Sequence, residues 1–217
     1  MKTVRQIAII LALIMMAAQG SYGQNPRQNP ELDARVRKFL DDTRGTWYDM
    51  NVPYADGQKL FDIIVQNNYT SALEIGTSTG LSGIWIAWAL SKTGGKLITV
   101  DLDRGRHERA LENFRKAGLV DYIDARLANA HDLVPQLDGP FDFVFSDADK
   151  DWYRNYFIAV DPKLKEGGCY VTHNISEGTY RRGQNNDYLQ YLRSRTDYET
   201  TVFTGGGGMS ISYKRSK

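Results

Sequence analysis

Five short apolar runs, each followed by glycine or polar residues and most by helix-length chain, constrain this sequence more than any other feature. They lie at 71–75 (SALEI), 97–101 (LITVD), 122–127, 141–146 (FDFVFS) and 168–172. Between them fall helical patterns such as 82–91 and 105–117, the second with Ala110, Phe114 and Ala117 on one stripe. Strands alternating with helices demand a parallel sheet covered on both faces. After a further helix near 185–194 the alternation breaks. Residues 198–203 and 208–214 are strand-like and joined by "TGGGG", which predicts a hairpin with an antiparallel last strand. The expected architecture is a doubly wound α/β sheet of seven strands, mostly parallel. Two amphipathic helices precede it, at 31–43 and about 55–67.

Length fits this reading, since 217 residues suit one domain with a sizeable core. A formal charge of +1 gives no basic footprint for nucleic acid. Cys169 is the single cysteine, so no intrachain disulfide can form. Residues 1–23 carry Lys2 and Arg5, then the apolar run Ile7–Ala18, then small residues at Ser21 and Gly23. That is the pattern of an export leader cleaved near Gly23, with an uncleaved membrane anchor as the alternative. Removing it moves the formal charge from +1 to −1. Residues 24–30 are polar with two prolines, a linker pattern, and the domain is assigned to 31–217.

Chemistry enters at the strand ends. "LEIGTSTG" is a strand, a glycine turn and a helix start, with Gly76 for the turn and Gly80 for close backbone approach. The spacing is not the G-x-G-x-x-G of dinucleotide binders, which argues against a nucleotide-dependent oxidoreductase. The acid Glu74 before the turn suits a ligand with a positive centre. Asp101 closes the second strand, where an acid can bond a ribose diol. Positive centre and ribose together point to S-adenosylmethionine. The plainer alternative makes "GTSTG" a tight turn and Asp101 a helix cap. Asp147 ends the fourth run, with Lys150 one helical turn on, and the fifth delivers His173 and Asn174. If the fourth and fifth strands are neighbours, Asp147, His173 and Asn174 converge as a divalent-ion site. The alternative is a hydrogen-bonded structural histidine. Trp85 and Trp88, three residues apart, suit the core, and His131 suits a helix cap or the flank of an adenine pocket.

From about residue 45 onward the chain resembles the cation-dependent O-methyltransferases, the group of catechol and caffeoyl-CoA O-methyltransferases. "MNVPYADGQKL", "LEIGTSTGLS", "LITVDLD", "DFVFSDADKDWY" and "GGCYVTHN" carry the likeness, the fourth most specifically. The resemblance implies a Rossmann-like fold and methyl transfer from S-adenosylmethionine to a hydroxyl of a small aromatic acceptor. It implies a cofactor site at Val52, Glu74, Gly76, Ser82, Asp101, Ala130 and Asp147; Thr77 and Leu102, beside the loop glycine and the strand-end acid, are grouped with them. It implies metal ligands at Asp147, His173 and Asn174, with Lys150 as base and Asp147 at the reacting centre. His173 departs from the family, which has aspartate there. A neutral nitrogen in place of a charged oxygen disfavours magnesium and favours manganese or iron, or loss of the metal. A non-catalytic cofactor-binding protein stays open, as does a homodimer. Arg181 and Arg182 suit either an acidic acceptor or a solvated loop.

Overall fold

The computed structural model describes residues 27–48, 50–177 and 185–216. The leader reading of residues 1–23, and Arg181 and Arg182, lie outside them. The strands are β1 (Ser71–Ile75), β2 (Lys96–Asp101), β3 (Ile123–Leu127), β4 (Phe141–Ser146), β5 (Leu164–His173), β6 (Tyr198–Phe203) and β7 (Met209–Lys214). The helices are α1 (Pro30–Asp42), α2 (Tyr54–Asn67), α3 (Leu81–Thr93), α4 (Arg104–Ala117), α5 (Ala130–Gln136), α6 (Tyr153–Val160) and α7 (Asn185–Ser194).

The seven strands form one sheet in the order β3-β2-β1-β4-β5-β7-β6. β1 to β5 pair in parallel, and β7 inserts antiparallel between β5 and β6. The expected seven-stranded, mostly parallel sheet with an antiparallel terminal hairpin is what forms. Successive side chains point to opposite faces. Ala72, Phe143, Phe145, Cys169 and Val171 face a core shared with α1 to α4. Leu73, Ile75, Val144 and Tyr170 face a second core under α5, α6 and α7. α3 is buried from Leu81 to Ser91, because α2 covers the side turned away from the sheet. A Cβ on Gly57 would stand 2.2 Å from the Trp85 ring, so only glycine allows this α2–α3 approach. Trp85 and Trp88 are core residues, 6% and 5% exposed.

β5 begins at Leu164, opposite Phe141 and four residues before the apolar signal; the exposed Lys165 to Gly167 form an irregularity in the β4–β5 register before pairing resumes with Cys169 opposite Phe143. The strand order reverses between β1 and β4, and a crevice opens beyond their carboxyl ends, where ligands of such sheets bind.

Candidate active site

The loop after β1 is bent by three residues in the left-handed region, Gly76 (φ 103°), Ser78 (φ 48°) and Gly80 (φ 96°). A Cβ on Gly76 would lie 2.8 Å from the Asp147 carbonyl oxygen, so the β1 turn closes against the end of β4 only with glycine there. The Asp147 N–H donates to the Ile75 carbonyl at 2.8 Å and carries the β1–β4 pairing one residue past the strand. The Ser78 N–H donates to Asp101 Oδ2 at 2.7 Å, and the Asp103 N–H to Oδ1 at 2.8 Å. Two backbone donors thus fix the Asp101 carboxylate at the cavity wall while each oxygen keeps a second lone pair for a ligand.

One cavity of about 550 Å³ runs along these strand ends. Of the residues expected at the cofactor, Gly76, Ser82, Asp101, Leu102, Ala130 and Asp147 line it. Val52, Glu74 and Thr77 have buried side chains that point elsewhere. Val52 joins the core beside α2, while its neighbours Met50 and Asn51 reach the cavity. Thr77 Oγ1 pairs with Thr99 Oγ1 at 2.6 Å, and the Thr99 hydroxyl reaches Glu74 Oε2 at 2.5 Å. Burial pushes the Glu74 carboxyl up to about 8, more than its hydroxyl partners lower it. Glu74 therefore braces the loop from behind. Two further residues shape the wall. His131 stacks on Trp152 with ring centroids 3.7 Å apart, and α5 is capped by Asn129 rather than by His131.

β4 and β5 are neighbours, with Ser146 opposite Thr172, so Asp147, His173 and Asn174 do meet at the cavity. Lys150 lies exposed at the same end. His173, however, is 4% exposed and held at both nitrogens. Nδ1 lies 3.0 Å from Asp147 Oδ2, and Nε2 lies 2.9 Å from Oδ2 of Asp56, a fully buried carboxylate in the first turn of α2. The Gly207 N–H, in the β6–β7 turn, donates to the same Asp56 oxygen at 2.7 Å. Burial opposes a charge on the ring, but the hydrogen bonds to Asp147 and Asp56 and their charges outweigh it and raise the His173 pKa to about 9.

The metal ligands implied at Asp147, His173 and Asn174 do meet at the cavity, but with a carboxylate at each His173 nitrogen. A ligating imidazole donates through one nitrogen, often to a carboxylate, and presents a lone pair at the other; here Asp56 stands at Nε2, and Nδ1 faces the Asp147 carboxylate at 3.0 Å. Among the described residues, no group of three or more histidine, cysteine, aspartate or glutamate side chains is arranged to hold a metal ion.

The family model described as O-methyltransferase matches residues 27–190. The chain belongs to the O-methyltransferase family. A catechol O-methyltransferase of Niastella koreensis is 45% identical over 107 residues, 48% of each chain. A caffeoyl-CoA O-methyltransferase of Eucalyptus globulus is 37% identical over 148 residues, 66% of this chain and 58% of the relative. The matches thus span about half to three fifths of these relatives' own length. Among solved structures, an O-methyltransferase from Bacillus cereus in complex with SAH superposes with a TM-score of 0.72 at 24% identity, covering 84% of this chain and 91% of that one. TomG from Streptomyces achromogenes, in complex with SAM, gives 0.70 at 23%, covering 94% and 95%. At these identities the two structures establish the shared fold alone.

Asp56, which holds His173, was not singled out by the sequence, nor were Arg106, Asn129 and Asp149 on the cavity wall. Asp56 stands in the quoted segment "YADG", where an acid in a first helical turn has an ordinary role facing the helix dipole. The one available signal was the odd histidine at 173, which called for a compensating acid.

Proposed function

We propose that this chain transfers a methyl group from S-adenosylmethionine to a hydroxyl oxygen of a small aromatic acceptor. The observation that carries the proposal is the single cavity joining Asp101 and Ala130, at the ends of β2 and β3, to Lys150 and Asn174, at the ends of β4 and β5. When bound, S-adenosylmethionine supplies an electrophilic methyl carbon on a sulfonium. Asp101 takes the ribose diol, and Gly76 leaves room for the chain of the cofactor to pass the β1 turn. The acceptor sits towards Lys150. In the transfer the acceptor oxygen would bond the methyl carbon as the carbon–sulfur bond breaks, with the Lys150 side chain placed to take the acceptor's proton. Most of the acceleration comes from holding oxygen, carbon and sulfur in line. The aromatic acceptor is suggested by the names of the catechol and caffeoyl-CoA relatives. Metal assistance is not part of the proposed mechanism, because His173 offers no free nitrogen.

The test is incubation with methyl-labelled S-adenosylmethionine and a panel of phenols. Labelled methyl ethers, lost on Lys150→Met with cofactor binding retained, are expected. A protein that binds the cofactor and labels none of the phenols would favour a binding protein without turnover.

A further inference from the structure

Two carboxylates converge on one buried imidazole, one on each ring nitrogen, at 3.0 Å from Asp147 and 2.9 Å from Asp56. A neutral imidazole carries one N–H and can donate to only one of them; the geometry calls for a ring that donates through both. The Asp56 carboxylate is fully buried, and a buried charge needs a partner of opposite sign. That partner is His173. The cover over the pair leaves no space for another ion on the Asp56 side. A Cβ at Gly206 would stand 2.1 Å from Asp56 Oδ1, and one at Gly207 would stand 2.7 Å from His173 Nε2. The glycine turn "TGGGG" lies directly on the pair, held by the Gly207 N–H on Asp56. Of the two carboxylates on the ring, Asp147 lines the cavity and Asp56 lies behind it.

We propose that the His173 ring, clamped between Asp147 and Asp56, is itself the cation of this site, and that the chain binds no divalent ion there. An organic cation built into the fold then holds the Asp147 carboxylate in place beside the acceptor. This deepens the methyl-transfer reading and rests on it for the purpose of the site, but its test does not depend on turnover.

The experiment is titration of chelator-stripped protein with Mn²⁺, followed by electron paramagnetic resonance of the free ion, with and without S-adenosylmethionine. The wild-type protein should show no saturable site up to about 1 mM. His173→Asp, which leaves three carboxylates and Asn174 around the vacated ring position, should gain one site and a Mn²⁺-dependent rise in melting temperature. A stoichiometric wild-type site that disappears in Asn174→Ala would overturn the proposal. So would a folded His173→Asp variant that ignores Mn²⁺, since the ring would then not stand in a cation's place. If His173→Asp does not fold, the wild-type titration decides alone. If no phenol is methylated, the functional reading fails while the Mn²⁺ result still decides this one.

Discussion

At the residue scale, the site rests on a few carboxylates whose partners set their roles. Asp101 keeps a lone pair on each oxygen facing the cavity after accepting from Ser78 and Asp103. Asp101→Ala should therefore weaken S-adenosylmethionine binding by about tenfold to a hundredfold, the loss of a charge-assisted hydrogen bond. Calorimetry on the folded variant checks this, and unchanged affinity would remove Asp101 from the cofactor site. His173 and Glu74 give stability a pH dependence of one sign. The His173 pKa is raised from 6.5 to about 9, so its contribution is complete below about 6.5 and is lost as pH rises through 9. The Glu74 pKa is raised from 4.5 to about 8, so its contribution too is lost as pH rises, through 8. Melting temperature at constant ionic strength should fall between about pH 6.5 and 9, with His173 alone worth up to about 3 kcal/mol. A flat profile would mean that the ring is neutral or unclamped. The convergence of Asp147, His173 and Asn174 was legible because adjacent strand ends can be counted along the chain. The clamp on His173 was not, because Asp56 arrives from a helix 117 residues earlier.

At the scale of elements, the β6–β7 turn changes meaning once it is seen in place. Four glycines between two strand patterns predict a hairpin, and the strands do pair as expected. The turn is also a close-fitting lid, with Gly206 and Gly207 against Asp56 and His173 and Gly208 (φ 87°) against the Ile175 carbonyl. Gly207→Ala should force the lid off the clamp and cost about 1–3 kcal/mol of stability, as overpacking does. Urea denaturation measures it, and a neutral result would mean that the turn has room to move. Most elements were legible from periodicity. The short α5, with Pro135 inside it, and α6 carry too few apolar repeats to declare themselves, and both are defined by packing onto the second core.

At the scale of the whole molecule, two cores on opposite faces of one sheet leave the strand ends as the place where chemistry can collect. Among the described residues no helix is long and apolar enough to cross a membrane. We propose that the export signal lies ahead of the fold, and a reporter fused to residues 1–30 should cross a membrane and be cut near Gly23. A full-length reporter left in the cytosol would contradict that reading. The sheet order was legible in outline, because alternation dictates parallel pairing and the glycine-joined pair dictates an antiparallel end. What alternation could not reveal is that the last turn folds back over the fifth strand's histidine, a contact made by backbone rather than by any side-chain pattern. Methyl transfer from labelled S-adenosylmethionine to a phenol, measured in excess chelator, tests the central claim most directly. The clamp predicts labelled product at a rate within about twofold of that with added Mn²⁺, whereas a metal acting on the acceptor oxygen would make chelation cost on the order of a hundredfold or more. Product that appears only when a divalent ion is restored would contradict it.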